Sequence, residues 1–168
     1  MKLETPRLVI RRFQQDDLQD LYEILSDPET MRFCELPYDL AKTEAFLRDF
    51  CIKRQGALAA VEKDSGKVIG YILFNSCGDR EFEAGWFFNR SFWRRGYAYE
   101  AMSAVFERAF SGDAVCIFAE TIDTVRSVGL MEKLGMKLCE VQKNAAKDLD
   151  GKTCDMYLYE MLREDFVK

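Results

Sequence analysis

Between Glu81 and Phe110 the apolar residues of this chain change their period once, and that change limits the folds open to it. The segment EFEAGWFFN is dense in apolar and aromatic residues and reads as a strand. The turn Arg90-Ser91-Phe92-Trp93-Arg94-Arg95-Gly96 follows. In YAYEAMSAVFERAF, Ala98, Ala101, Met102, Val105, Phe106, Ala109 and Phe110 then recur at helical spacing as one apolar stripe. The whole is strand, short basic loop, helix. A helix leaves the N–H groups of its first turn without partners and carries the positive end of its dipole there. Gly96 opens the loop backbone to a ligand and Ala98 is nearly as small, while Arg94 and Arg95 add two permanent charges with donors suited to phosphate oxygens. The residues alone allow two readings: a cradle for a phosphate or pyrophosphate, or a solvated basic turn ahead of an ordinary helix.

The other segments surround this unit with a mixed sheet. Leu3 to Phe13 reads as a first strand, Asp16 to Ser26 as a helix stopping before Pro28, and Asp39 caps a second helix running to about Lys53. Ala57 to Glu62 and Lys67 to Phe74 form a hairpin across Lys63-Asp64-Ser65-Gly66, and the polar cluster Asn75 to Arg80 links it to the central strand. After the central helix come a strand over Ala114 to Glu120, a shorter helix over Val125 to Leu134 ended by Gly135, and strands over Met136 to Gln142 and Thr153 to Met161. The expected class is α/β (α+β), one domain over residues 1–168, with a mostly antiparallel sheet of about seven strands and helices on both faces.

Composition narrows the chemistry. There is no histidine, which removes the usual general base and any Ser-His or Cys-His nucleophile pair. The six cysteines are scattered without a C-x-x-C pair and are expected as reduced thiols, with no metal site. A net charge of −5 argues against a general nucleic-acid binder and is compatible with a cationic substrate; Trp86, Phe92, Trp93, Tyr97 and Tyr99 are accordingly expected to pack rather than to stack on bases. No apolar run reaches the roughly 20 residues needed to span a bilayer, and MKLETPRLVI lacks a signal-peptide pattern, so a cytoplasmic protein without membrane partners is expected.

The order of elements, with ETPRLVIRRF, KVIGYILF, EAGWFFNRSFWRRGYAYEA, SVGLMEKLGM and DLDGKTCDMYLYEM, resembles the GCN5-related N-acetyltransferase (GNAT) superfamily, most closely its ribosomal-protein N-terminal acetyltransferase (RimJ/RimL-like) branch. The resemblance covers nearly the whole chain, and its middle block is the specific part. It implies acetyl-CoA as donor and an amine as acceptor, either a protein N-terminus or a small molecule. Carried over residue by residue, it implies that the backbone of Trp86, Phe87 and Phe88 pairs with the pantetheine arm, and that the amides of Arg94, Arg95, Gly96, Tyr97, Ala98 and Tyr99 bind the pyrophosphate. The superfamily motif Q/R-x-x-G-x-G/A has Trp93 at its first position here. The later N-x-x-S motif has Thr124 at the Asn position and Ser127 at the Ser position, and Met131 stands where many members carry a proton-donating tyrosine.

Acetyl transfer from a thioester needs an amine freed of its proton, a donor for the carbonyl oxygen and departure of the thiolate. The Phe88 N–H is the expected oxyanion donor, given a local splay or bulge of the strand. Glu83 is the expected base, its carboxyl raised among Phe82, Trp86 and Phe87; its other reading is a solvent-facing or arginine-paired carboxylate. Glu35 is the second candidate. Ser127 is expected near the leaving thiolate, with helix capping or packing as its alternative. The expected activity is N-acetyl transfer by direct attack in a ternary complex, the alternative a non-catalytic acyl-CoA-binding or sensing domain. A monomer and a homodimer are both open.

Overall fold

Pro6 decides how the chain enters the sheet. Proline has no backbone N–H to give to a ladder, and here it stands in a tight turn in which the Thr5 N–H donates to the Leu8 carbonyl at 2.9 Å. In the computed structural model, which describes residues 2–166, the expected first strand is therefore two: β1 (Lys2–Glu4) folds back antiparallel on β2 (Leu8–Arg12). This makes the sheet eight-stranded, one more than the periodicity indicates.

The chain then leaves the sheet for α1 (Leu18–Leu25), the one-turn α2 (Pro28–Met31) and α3 (Leu40–Phe46), which runs on as a π-helix over Leu47–Lys53. Asp27 caps α2 by accepting from the Thr30 N–H, and Pro28 at its first position needs no N–H partner. Asp39 caps α3 through the Lys42 N–H, as its position predicts. Strands β3 (Ala57–Glu62), β4 (Val68–Gly78) and β5 (Glu81–Phe88) form an antiparallel meander. Most of the polar segment 75–80 is strand rather than linker, because Asp79 and Arg80 turn the chain in two residues with φ of 48° and 64°. Helix α4 (Tyr97–Ser111) crosses over to β6 (Cys116–Thr121), which lies parallel to β5. Helix α5 (Arg126–Lys133) and the long hairpin β7 (Lys137–Lys147) and β8 (Thr153–Leu162) complete the order β1-β2-β3-β4-β5-β6-β8-β7.

The twofold alternation of the strands divides the core between the two faces. Leu8, Ile10, Leu58, Ala84 and Ile117 meet Ala101, Met102, Val105 and Phe106 of α4 on one face. Ala57, Ala59 and Tyr71 meet Leu21, Ile24 and Leu25 of α1 and Leu47 and Cys51 of the π-helix on the other. On α1, Leu21, Ile24 and Leu25 are buried and Tyr22 only half-buried. Burying each large apolar side chain is worth about 1.5–3 kcal/mol, so the central meander is clamped from both sides and can present its ends to a ligand without bending. The cysteines are free thiols, Cys51 and Cys116 buried.

Candidate active site

The loop before α4 is built from strained backbone held by a distant arginine. Arg94 and Gly96 both lie in the left-handed region, with φ of 58° and 80°; the cost is small for glycine and about 1–2 kcal/mol for arginine. Between them the Arg95 carbonyl accepts a hydrogen bond from Arg7 Nη1 at 2.8 Å. Arg7 comes from the β1–β2 turn, lies over the Tyr97 ring at 4.2 Å, and is locked by Glu100 of the first turn of α4, whose Oε2 receives Arg7 Nε at 2.7 Å. Burial pulls the Glu100 carboxyl upward, but hydrogen bonds from Thr5 and from the Arg7 N–H and guanidinium outweigh it and hold the group below its ordinary range. No side chain caps α4: the first hydrogen bond within the helix is Glu100 N–H to Gly96 O, at 3.0 Å. The amides of Tyr97, Ala98 and Tyr99 therefore point out of an uncapped helix end beside the Arg94 and Arg95 charges, an arrangement made for an anion.

The acyl end of such an anion would lie along β5. Strand β5 pairs with β6 over Glu81–Glu83 against Cys116–Phe118; beyond that the two parallel strands part, leaving Ala84 to Phe88, among the described residues, with no strand on that side. The Asn89 N–H donates to Ile69 of β4 at 2.8 Å, so by alternation the backbone groups of Phe88 and Trp86 face the gap. The Phe88 carbonyl is fixed there by the Trp93 indole N–H at 2.6 Å. The local splay that an oxyanion role for the Phe88 N–H requires is thus present as a divergence of two strands.

Glu83 is half-buried, and burial, together with the negative charge of Glu120, raises its carboxyl above the ordinary value. Its surroundings differ from those the sequence suggests. Phe82 and Trp86 pack against the α4 side of the sheet, whereas Glu83 projects with Phe87 and Tyr71 toward the side of α1 and α3. Strand alternation at successive residues dictates this.

Glu35 is drawn away from a base role. Burial raises it, but the Tyr38 hydroxyl donates to Oε1 at 2.5 Å and Lys42 Nζ to Oε2 at 2.9 Å, and together they keep the carboxyl below its usual range. Both oxygens are occupied.

Ser127 stands in the first turn of α5, half-exposed, and among the described residues its hydroxyl has no hydrogen-bond partner. It does not cap the helix. That work falls to buried Asp123, which accepts from the Val125 and Arg126 N–H groups at 3.1 and 3.0 Å and from Arg126 Nε at 3.1 Å. Arg126 in turn lies over Trp93 at 4.8 Å and Phe33 at 5.3 Å, tying the end of β6 to the loop before α4. Thr124 is exposed, and Met131 is buried in the α4-side core.

Arg7, Glu100, Asp123 and Arg126 are the residues that sequence reasoning missed. Asp123 three positions before Arg126 is a helix-start signal that was legible. Arg7 carries none, since its partner lies 93 residues away. Among the described residues no group of three metal-ligating side chains occurs, and no helix is long and apolar enough to cross a membrane.

Residues 7–137 match the family model of the acetyltransferase (GNAT) domain. An uncharacterized N-acetyltransferase, YnaD, of Bacillus subtilis (strain 168) is 30% identical over 173 aligned residues, 99% of each chain. The crystal structure of an acetyltransferase (GNAT family) from Bacillus anthracis superposes with a TM-score of 0.89 at 25% identity, covering 98% of this chain and 99% of that one. RimL, a ribosomal L7/L12 alpha-N-protein acetyltransferase solved with coenzyme A, superposes with a TM-score of 0.83 at 14% identity over 96% and 98% of the two chains.

Proposed function

This chain belongs to the acetyltransferase (GNAT) family, and from that premise we propose that it moves an acetyl group from acetyl-CoA to a primary amine, by direct attack with both substrates bound. The acceptor is a protein N-terminus or a small-molecule amine. Likeness in fold to RimL, a ribosomal L7/L12 alpha-N-protein acetyltransferase in complex with coenzyme A, supports the first of these and the choice of donor. The reading is of one catalytic domain over residues 1–168, acting in the cytoplasm.

The observation that carries it is the uncapped start of α4 lying beside the partnerless stretch of β5. The donor supplies an activated acyl group with a thiolate that leaves readily. In this reading the amides of Arg94 to Tyr99 take the pyrophosphate with help from the Arg94 and Arg95 charges, and over Trp86–Phe88 the strand offers its open edge to the pantetheine amides through the backbone groups of Trp86 and Phe88, those of Phe87 facing β4. The Phe88 N–H stabilises the developing charge on the carbonyl oxygen, and the strand that holds it costs no reorganisation at the moment of reaction. Glu83, with its raised carboxyl, takes the amine proton directly or through water. Among the described residues the Ser127 hydroxyl has no other partner and can donate toward the departing thiolate, whereas Met131, a thioether with no proton to give, cannot.

A coenzyme A release screen against free amines and short peptides of varied N-terminus tests activity and acceptor class together. Release that depends on one class identifies the acceptor. Acetyl-CoA binding with no release under any amine would replace this reading with that of an acyl-CoA sensor.

A further inference from the structure

The far end of α4, roughly 18 Å from its uncapped start, closes a cavity. It has a volume of about 380 Å³ and lies where the ends of β2, β3, β4 and β5 face the last turn of that helix, away from the gap beside Ala84 to Phe88. Its floor is apolar: Leu58 and Ala109 are buried, and Phe74 and Phe82 stack in parallel with ring centroids 4.8 Å apart. Its walls carry three guanidinium groups, of Arg12, Arg54 and Arg108. Among the described residues none of the three has an ion-pair partner.

Arginines clustered around an apolar hollow in a chain of net charge −5 are the opposite of what general surface composition would supply. Asp113 is the acid on the lining and offsets one charge of the three. The carbonyls at a helix C-terminus disfavour an anion; just beyond that end Arg163 adds a compensating positive charge, donating from Nη2 to the Gly112 carbonyl and from Nε to the Ala114 carbonyl, both at 2.8 Å. Arg12 is oriented in advance by its bond from Nη1 to the Gln55 carbonyl at 2.6 Å and keeps its remaining donors.

We propose that this cavity is a binding site for a small organic anion with a flat apolar body, an aromatic carboxylate or phosphate monoester. Arg54 and Arg108 grip the anionic head as forked donors, and the Phe74–Phe82 pair takes the body. The volume lies within the range of small-molecule pockets. The site is separate from the one proposed for acetyl transfer and does not depend on that activity.

The test uses the full chain, ¹⁵N-labelled and saturated with coenzyme A, titrated separately with phenyl phosphate, benzoate, inorganic phosphate and benzyl alcohol. Saturable amide shifts centred on Asn75, Ser76, Gly112 and Asp113 are expected with phenyl phosphate or benzoate, and the tighter of the two identifies the head group. Inorganic phosphate and benzyl alcohol, each lacking one half of the ligand, are expected to bind at least roughly tenfold more weakly. The double variant Arg54→Gln/Arg108→Gln is expected to weaken the tighter probe by at least roughly tenfold while leaving the melting temperature unchanged, because both side chains are exposed and unpaired. The proposal fails if neither aromatic anion saturates below about 10 mM, if the shifts centre on Gly96 to Tyr99, if inorganic phosphate binds as well as phenyl phosphate, or if the double variant binds unchanged.

Discussion

The Trp93 indole N–H donates to the Phe88 carbonyl at 2.6 Å, so the residue that replaces the usual polar first member of the loop motif holds the end of the strand on which the chemistry is proposed. A loop position and a strand position five residues apart are made one rigid piece. Trp93→Phe keeps most of the ring and removes only the donor. Since one hydrogen bond is worth about 0.5–1.5 kcal/mol net, kcat/KM is expected to fall about threefold to tenfold with little change in stability. Steady-state kinetics on the acceptor found by the amine screen check this. An unchanged kcat/KM would mean that Phe88 is positioned without the indole.

Glu83 ties activity to pH. Its carboxyl is raised by burial and then by Glu120, so a base role predicts that turnover falls as pH drops through a value above the ordinary glutamate range. Glu120→Gln removes the like charge and is expected to move that acidic limb to lower pH. Glu83→Gln is expected to cost on the order of 10²–10⁴ in kcat at neutral pH and less at high pH. Stability moves the other way. A carboxyl whose folded pKa is raised binds more protons folded than unfolded, so it disfavours folding once pH exceeds the unfolded value. Glu83→Gln is therefore expected to raise the melting temperature at neutral pH and to leave it unchanged well below pH 4, a pattern that a calorimetric pH series would show or refute.

Glu100 and Arg7 brace the loop from outside it. The Glu100 carboxyl is held low by its hydrogen bonds, so its contribution to stability is present above the unfolded glutamate pKa and is lost as pH falls through the lower folded value. Glu100→Gln is expected to cost about 1–2 kcal/mol at pH 7, kept modest because Arg7 is partly in water, and progressively less as pH falls below the unfolded glutamate pKa. Arg7→Ala frees the Arg95 carbonyl between two left-handed residues and is expected to weaken coenzyme A about tenfold. Urea unfolding and isothermal titration measure the two effects separately.

Among the described residues the Ser127 hydroxyl has no hydrogen-bond partner, and Asp123 caps its helix. Ser127→Ala should therefore leave the melting temperature and coenzyme A affinity unchanged and lower kcat about tenfold, less than the roughly 10²–10⁴ of a full general acid because the thiolate leaves readily by itself. Unchanged kcat would assign the thiolate's departure to positioning alone. Asp123→Ala, in contrast, is expected to lower stability by about 1–2 kcal/mol through loss of the cap.

Local periodicity was sufficient for the strand-loop-helix at Glu81 to Phe110, for the Asp39 cap, for the left-handed stop at Gly135 and for the helices on both faces, because spacing and capping act over a few residues and need no partner from elsewhere. The same local logic marked Gly96 and the amides after it as a place for an anion. What the sequence could not supply were relations across the fold. That the β5–β6 ladder ends at Glu83 depends on how two parallel strands diverge after a long crossover. Arg7 reaching Arg95, Arg126 lying between Trp93 and Phe33, and three arginines meeting over Phe74 and Phe82 are likewise products of packing. Side chains distant in sequence carry no mutual signal in a single chain; only when the core brings their backbones to one place does their charge become a site.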